Sequence, residues 1–425
     1  MKGPPLFSFI HCADLHLDSP FEGLHAVEPK IARILKDATF KSFDNIIDLA
    51  IREHADFLIV AGDVYDGADR SLRAQIKFRD ALTRATDAGV QCFVAHGNHD
   101  PLSGWEAKLS LPKGVHRFGG EAVEEAVVRR GGAPLAHVYG ISYPVREVKE
   151  NLTPGFKAAH DSAFGIGVLH CNLGGNPNHD NYAPCTVEDL LTCKLNYWAL
   201  GHVHTRQVAR AQDPLIAYPG NPQGRSVREL GARGCYLVRV SEDGVVVPDF
   251  VATDVVRWFS EQIEVSDLNT LDELLEALGR AKEEVRMAAE GRGAILRLQL
   301  SGRGELHGVL RRPDQVQDLA ALLREGETER ADFVWVESLS NRTRPPLDLA
   351  QRRLMQDFIG DFLNAAEEIR SAENPGSALH RVLSKRPEQR VITEDLDVLS
   401  DTGWLEILND SEILGLDLLL PEEGT

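Results

Sequence analysis

The chain has 425 residues, of which 43% are hydrophobic, so it is long enough for two or three folded domains with a buried core. Its net charge of −19 argues against binding nucleic acid through overall charge, because phosphates attract Lys and Arg. No run approaches the roughly 20 apolar residues that span a bilayer, so we expect a cytoplasmic protein without a membrane segment. The six cysteines form no CxxC pair, which argues against disulfides and structural zinc.

The charge is unevenly distributed along the chain. Residues 391–425 contain ten acidic residues and no Lys or Arg, whereas residues 205–233 contain five arginines and two acidic residues. A locally basic binding surface is therefore compatible with the acidic overall charge.

The first half of the chain repeats a short apolar run followed by a polar cluster. The runs are FSFIHCA, DFLIVAG, VQCFVAHG, FGIGVLH and NYWALGH, and such runs are typical of buried strands. Residues 29–54 have apolar side chains at helical spacing behind Pro29, and Thr186 begins a Ser/Thr-x-x-acid helix cap. Alternating strands and helices predict a layered α/β domain with functional groups at the carboxyl ends of the strands.

The character of the chain changes after Phe250. The following segments predict a strand-helix-strand-helix-strand unit without a comparable polar cluster, and Pro345 and Pro346 predict a linker. After this linker, apolar side chains recur at helical spacing, and the chain ends in an acidic segment. We therefore expect three domains, at residues 1–250, 251–345 and 346–425.

The polar clusters contain the side chains that bind divalent metal ions. They are Asp14-x-His16, Gly62-Asp63-x-x-Asp66, Gly97-Asn98-His99-Asp100, His170 and Gly201-His202-x-His204. Carboxylate, amide and imidazole donors without thiolate suit many divalent metals. A carboxylate such as Asp63 can bridge two ions, and paired ions serve in-line attack on phosphate. This predicts one ion on Asp14, His16, Asp63 and His204, and another on Asp63, Asn98, His170 and His202.

Each cluster alone is a weak signal, because Asp and Gly are ordinary turn residues and single histidines such as His11 and His137 are usually structural. The prediction depends on their joint occurrence. His99 is not needed as a ligand, so we expect it to face the substrate as a general acid or as a transition-state stabiliser. Asp66 is expected to hold the other ring nitrogen of His99.

The ordered set DxH, GDxxD, GNHD, an isolated His and GHxH resembles the calcineurin-like metallophosphoesterases. Within that family, IHCADLHLDSPFEGL, LHCNLGG, YWALGHVHTRQV and YPGNPQGR are similar to the bacterial DNA repair exonucleases of the SbcD and YhaO type. The resemblance implies a four-layer α/β fold with two central sheets flanked by helices, a small α+β capping domain and a C-terminal helical tail. It also implies the same seven ligands, two Mn²⁺ ions and His99 as the catalytic histidine.

The resemblance further implies a metal-dependent DNA exonuclease in DNA repair, acting as a homodimer with an SMC-like coiled-coil ATPase that the tail after Pro346 would bind. Asp66 departs from the pattern, because the archetypal repair nucleases often have His there and the phosphatase branch has Asp. Two alternatives stay open: a phosphoesterase acting on small or cyclic nucleotides or phosphoproteins, and a catalytically silent scaffold.

Four residues are candidate substrate contacts. Arg206 follows the GHVH ligands and Arg225 lies in GNPQGR, so both are expected near phosphate oxygens, with acid-paired surface arginines as the alternative. His179 and Tyr182 lie in NHDNYAPC and are expected to contact substrate phosphate or base, with a structural loop as the alternative.

Overall fold

The computed structural model of the protein describes residues 6–19, 21, 28–67, 71–158, 164–175, 181–347, 349–372, 376–377 and 401–419. Its strands are β1 (Phe7–Cys12), β2 (Phe57–Ala61), β3 (Gln91–Ala95), β4 (Val115–Arg117), β5 (Glu124–Arg130), β6 (Ala133–Gly140), β7 (Gly165–His170), β8 (Tyr197–Gly201), β9 (Gln207–Arg210), β10 (Leu215–Tyr218), β11 (Gly234–Val240), β12 (Val246–Ala252), β13 (Val256–Glu264), β14 (Gly293–Arg303) and β15 (Val334–Arg344). Its α-helices are α1 (Pro29–Arg52), α2 (Leu72–Asp87), α3 (Val187–Thr192), α4 (Leu271–Ala288), α5 (His307–Leu310), α6 (Pro313–Arg324), α7 (Leu349–Arg353), α8 (Phe358–Arg370) and α9 (Asp401–Leu419).

Two six-stranded mixed sheets form the centre of the fold. The first has the order β12-β11-β1-β2-β3-β4, and the second has the order β5-β6-β7-β8-β10-β9. Strands β1 to β4 are parallel neighbours in the first sheet, and β6, β7, β8 and β10 are parallel neighbours in the second. Parallel strands place their carboxyl ends at one edge of a sheet, which is where ligands bind in α/β folds.

The alternation of side chains along the strands builds four layers. Phe9 and Phe57 point into a core shared with the second sheet, where the Phe9 and Tyr197 rings meet edge to face at 5.2 Å. Ile10 and Leu58 point the other way, into a core with α1 and α2. Helix α3 covers the outer face of the second sheet. The predicted four-layer α/β fold is thus confirmed.

A third, small sheet has the order β13-β14-β15. Thr270 and Glu273 form a capping box, which fixes the start of α4 at Leu271. Trp258 and Trp335 are buried in this part of the chain, and they share a hydrophobic cluster with Ile31 of α1. The strand-helix-strand-helix-strand pattern predicted after Phe250 is therefore present.

The chain divides into two compact units. One contains residues 1–264, 270–301 and 310–342, and the other contains residues 265–269, 302–309 and 343–425. In the second unit Glu412 of α9 is buried and pairs with Arg353 of α7 and Arg370 of α8. Among the described residues, no helix is long and apolar enough to cross a membrane.

Candidate metal centre

The predicted metal ligands all lie at strand ends. Asp14 and His16 follow β1, Asp63 follows β2, Asn98 follows β3, His170 ends β7, and His202 and His204 follow β8. The loops after β1 and β2 run side by side, since Asp14 N donates to Gly62 O at 3.0 Å and His16 N donates to Asp63 O at 3.0 Å. Strands from both sheets therefore contribute donors to one buried region.

Asp14, His16 and His204 form the first group of donors, and their ligand atoms lie within 4.8 Å of one another. His16 Nδ1 donates to Asp66 Oδ1 at 2.8 Å, and His204 Nδ1 donates to Glu229 Oε1 at 2.7 Å, because carboxylates only accept. Burial and the nearby Arg225 lower the pKa of His16 to about 3, so this ring is neutral. The Nε2 atoms of His16 and His204 face each other at 3.1 Å, so that both can bind one cation.

Asp14, Asp63 and His170 form the second group. His170 Nδ1 donates to Ala61 O at 3.1 Å, while its Nε2 lies 2.9 Å from Asn98 Oδ1 and 3.3 Å from Asp63 Oδ2. The His202 ring is adjacent, with its centroid 5.2 Å from that of His170. Oxygen donors around an imidazole nitrogen are the hard and borderline ligands that divalent cations prefer.

The electrostatics of the second group also fit a cation. Burial disfavours charge on Asp14 and raises its pKa. Burial by itself would raise the pKa of Asp63 and lower that of His170. The attraction between the two side chains outweighs burial, so that the pKa of Asp63 is lowered and that of His170 is raised to about 9. Without an ion, a proton therefore sits on His170 among acceptor oxygens. A divalent cation replaces such a proton when it binds.

The backbone turns sharply at the ligands. Asp14, His16, Asp63 and His202 have positive φ values of 53°, 42°, 48° and 101°. Such values are uncommon for residues other than glycine, and they concentrate at functional sites where the surrounding structure enforces them. The turns redirect each chain immediately after its strand, so that the side chains point back across the strand ends.

Glycines next to the ligands leave space for the donors. A Cβ on Gly97 would lie 2.4 Å from Asp63 Oδ1 and 2.7 Å from His170 Nε2. A Cβ on Gly201 would lie 1.8 Å from the carbonyl oxygen of Ala61. The packing at these positions therefore requires a residue without a Cβ.

Asp66 differs from the expectation that its carboxylate pairs with His99. Its Oδ1 lies 3.9 Å from His99 Nδ1, beyond hydrogen-bond distance, and bonds His16 Nδ1 instead. Ser19 Oγ at 2.9 Å and Arg225 Nη1 at 2.8 Å hold the carboxylate on the His16 side. The group that faces His99 Nδ1 is the backbone carbonyl oxygen of Asp66, at 3.3 Å.

Asp100 and Glu229 support the site without having been predicted to do so. The Asp100 carboxylate is fully buried and accepts bonds from Val64 N at 2.9 Å and Gly97 N at 2.8 Å, which ties the loop after β2 to the loop after β3. Asp100 is the last residue of the GNHD motif, so its place in the sequence could have indicated a role at the site. Glu229 is 25 residues from His204, and no local pattern links the two.

The candidate substrate contacts differ in their surroundings. The exposed Arg206 guanidinium lies over the Phe250 ring at 3.9 Å. Arg225 is turned inward onto Asp66. The half-buried Tyr182 ring meets the His202 ring edge to face at 5.9 Å. His179 lies outside the described residues.

Comparison with known proteins identifies the family. Residues 7–206 match the family described as calcineurin-like phosphoesterase, and residues 258–344 match the middle domain of metallophosphoesterase YhaO. The chain is 38% identical over 409 residues to "Uncharacterized metallophosphoesterase YhaO" of Bacillus subtilis, with 96% of both chains covered. The chain belongs to the calcineurin-like metallophosphoesterases.

More distant relatives are a DNA repair protein and a subunit of a nuclease. "DNA double-strand break repair protein Mre11" of Aeropyrum pernix is 30% identical over 254 residues, covering 56% of this chain and 59% of that protein. A component of the nuclease SbcCD of Bacillus subtilis is 24% identical over 259 residues, covering 52% of this chain and 63% of that protein. Family membership makes the protein a hydrolase of phosphoester bonds, and its nitrogen and oxygen donors fit the divalent metals typical of the family.

Proposed function

We propose that the protein is a metal-dependent DNA exonuclease that hydrolyses phosphodiester bonds at a site for two ions. The observation that carries this proposal is the position of Asp63, whose Oδ2 lies 3.9 Å from His16 Nε2 and 3.3 Å from His170 Nε2, between the two donor groups. DNA is the proposed substrate because the more distant relatives are named as a DNA repair protein and as part of a nuclease.

Two Mn²⁺ ions are the proposed cofactor. The first would be held by Asp14, His16, Asp63 and His204, and the second by Asp63, Asn98, His170 and His202. When bound, paired ions neutralise the phosphodiester charge and lower the pKa of water.

His99 is the proposed catalytic histidine. Its side chain is 36% exposed, and its backbone N–H donates to Asp63 Oδ1 at 2.9 Å, which fixes its main chain against the centre. The Asp66 carbonyl oxygen can only accept, so His99 Nδ1 carries the proton in the bond between them. Nε2 is then the atom left for the substrate. In the protonated ring Nε2–H can donate to the departing oxygen, either transferring its proton or stabilising the developing charge.

Asp66 is proposed to act on His16 rather than directly on His99, because its carboxylate bonds His16 Nδ1. Arg206 and Tyr182 are the proposed substrate contacts among the described residues. Arg206 presents an exposed guanidinium to the solvent, and Tyr182 lies against the ligand His202. His179 is kept as a proposed contact from its place in the sequence.

The test is a nuclease assay on end-labelled duplex DNA with Mn²⁺, Mg²⁺ or Zn²⁺, using the purified wild-type protein and Asp63→Asn. We expect metal-dependent release of nucleotides from the ends by the wild type. Asp63→Asn should lose both the activity and bound metal, because an amide has one oxygen donor and no charge. A fully active Asp63→Asn protein with two bound ions would refute the bridging role.

A second candidate is a phosphoesterase for small or cyclic nucleotides or for phosphoproteins, which is favoured by Asp66 at the last position of GDxxD. The same preparations should be tested on a cyclic dinucleotide, a phosphopeptide and a chromogenic diester. Hydrolysis of one of these together with inert DNA would support this candidate. Absence of hydrolysis on every substrate would support the scaffold alternative.

We also propose that the protein works in the cytoplasm as a homodimer with an SMC-like coiled-coil ATPase. Its proposed domains are residues 1–250, 251–345 and 346–425, and the family matches at 7–206 and 258–344 support the first two. The ATPase would bind the C-terminal region, where Leu354 in the turn between α7 and α8, Phe358 of α8 and Leu418 of α9 are 84%, 70% and 77% exposed. Exposed apolar side chains suit binding to a partner helix.

A further inference from the structure

Two ligands of the first donor group are each oriented by a carboxylate. Asp66 Oδ1 accepts from His16 Nδ1 at 2.8 Å, and Glu229 Oε1 accepts from His204 Nδ1 at 2.7 Å. In both rings Nε2 is therefore the nitrogen directed toward the other ring, 3.1 Å away. A hydrogen bond at the distal nitrogen fixes the orientation and the tautomer of a histidine ligand.

Arg225 joins these two carboxylates. Its Nη1 donates to Asp66 Oδ1 at 2.8 Å, and its backbone N–H donates to Glu229 Oε2 at 2.7 Å, with Nη2 3.7 Å from Glu229 Oε1. The side chains of Arg225 and Glu229 are only 15% and 11% exposed. His16, Asp66, Arg225, Glu229 and His204 therefore form a closed circuit, which we call the Arg225 ring.

The second donor group is supported differently. His170 Nδ1 donates to a backbone carbonyl, that of Ala61, at 3.1 Å. A carbonyl oxygen of the main chain is unaffected by replacing a side chain of the Arg225 ring. Side-chain replacements in the ring should therefore affect the two ion positions unequally.

We propose that Arg225 is a positioning residue for the first ion and not a contact to substrate phosphate. Its side chain bonds the Asp66 carboxylate and lies 3.7 Å from that of Glu229, which its backbone N–H also bonds, so that the Nε2 atoms of His16 and His204 stay directed at one point. The proposal rests on the two-ion site of the proposed function, but not on DNA as the substrate.

The test is a calorimetric titration of metal-free protein with Mn²⁺, comparing the wild type with Arg225→Ala, Arg225→Lys and Glu229→Gln. We expect two ions in the wild type. In Arg225→Ala one ion should bind with unchanged affinity and the other about 10-fold to 100-fold more weakly, the usual effect of losing an outer support of a ligand. Arg225→Lys should not restore binding fully, because an ammonium lacks the fork of the guanidinium.

The matched control is Arg239→Ala. Arg239 also pairs with two carboxylates, those of Glu53 and Asp249, but it lies opposite Ser8, at the end of β1 away from Asp14. It should bind two ions as the wild type does. Thermal unfolding in chelator shows whether each variant is folded, and if Arg225→Ala is not, Arg225→Lys and Glu229→Gln carry the test.

The alternative role of Arg225, as a contact to substrate phosphate, is tested by measuring the KM of the variants for a chromogenic diester. Wild-type affinity for both ions in the Arg225 variants, together with a raised KM, would make Arg225 a phosphate contact and overturn the inference alone. A wild-type protein that binds no divalent ion would overturn the two-ion function and the inference with it. Two bound ions in a protein that leaves DNA intact would overturn only the substrate, and the metal titration would still decide the role of Arg225.

Discussion

His99 shows how a residue inside the metal-binding motifs can stay free for the substrate. It is flanked by the proposed ligand Asn98 and the buried Asp100, yet about a third of its side chain is exposed and its ring contacts the His16 ring edge to face at 4.9 Å. Its Nδ1 faces a carbonyl oxygen instead of a metal position. Its position thus suits proton transfer better than ligation.

We expect His99→Ala to keep both ions and to lose turnover by about 100-fold or more, the usual contribution of a general acid. Metal content by mass spectrometry and the rate on a diester substrate measure the two properties separately. Loss of an ion in this variant would instead make His99 a ligand.

His11 has the structural role expected of a single histidine after an apolar run. It is fully buried; Nε2 donates to Leu200 O at 3.2 Å, and Nδ1 lies 2.9 Å from the Tyr197 hydroxyl. Burial lowers the pKa of His11 to about 3, and the bond to the Leu200 carbonyl opposes this only in part. The folded protein therefore keeps this ring neutral at pH values where an unfolded chain protonates it.

This predicts a pH dependence of stability. Between pH 6.5 and about 3 the unfolded chain binds a proton at His11 that the folded protein does not, so the free energy of unfolding falls as the pH falls. Once the histidine of the unfolded chain is protonated, His11 lowers the free energy of unfolding by about 1.4 kcal/mol for each further pH unit of acidification. Denaturant unfolding in chelator at pH 6.5, 5.5 and 4.5 should give a shallower decline for His11→Gln than for the wild type. Equal slopes would contradict the prediction.

At the scale of elements, the strand-end loops after β2 and β3 set the distances within the centre. Gly97 lies in the second of these loops, where its Cα faces Asp63 and His170 at a separation that excludes a Cβ. Backbone on both sides of the loop is fixed, because Asp100 bonds both loops. The loop therefore cannot move away to admit a larger side chain.

Gly97→Ala should displace Asp63 Oδ1 or His170 Nε2 and lower both bound metal and activity, while the protein stays folded. The control is Gly279→Ala in α4, where a Cβ meets no atom within 4 Å and the helix should be stabilised by about 0.5–1 kcal/mol. Wild-type metal content in Gly97→Ala would show that the loop can adjust.

At the scale of the whole molecule, the proposed metal ligands and the C-terminal helices belong to different compact units. The second unit has its own buried contacts, among them Glu412 with Arg353 and Arg370, and exposes Leu354 and Phe358. The seven proposed ligands are all in the first unit.

Removing the residues after Pro346 should therefore leave Mn²⁺-dependent hydrolysis at a rate similar to that of the full chain, and should weaken association with an SMC-like ATPase. Steady-state rates on a diester and co-purification with the candidate ATPase from the same cell measure these effects. Replacing Leu354 and Phe358 with Ser in the full chain is the finer variant, because it keeps the helices. An unchanged complex in both cases would rule out the docking surface.

The sequence by itself determined the local order of the chain. The apolar runs became β1, β2, β3, β7 and β8, the segment after Pro29 became α1, and the capping pattern at Thr186 begins α3, because periodicity, proline and capping act over a few residues. The motif residues also indicated the type of ligand, since donor chemistry belongs to the side chain.

Only the tertiary structure decided which side chains meet. Asp66 bonds His16 instead of His99, and Arg225 points at Asp66 instead of outward, because folding brings His16 and Arg225, which are 50 and 159 positions from Asp66, to the same carboxylate. Glu229 reaches His204 across 25 residues of chain that include strands β9 and β10. Spacing along a sequence fixes none of these contacts, because a hydrogen bond depends on distances in space that the packing of the sheets and loops sets.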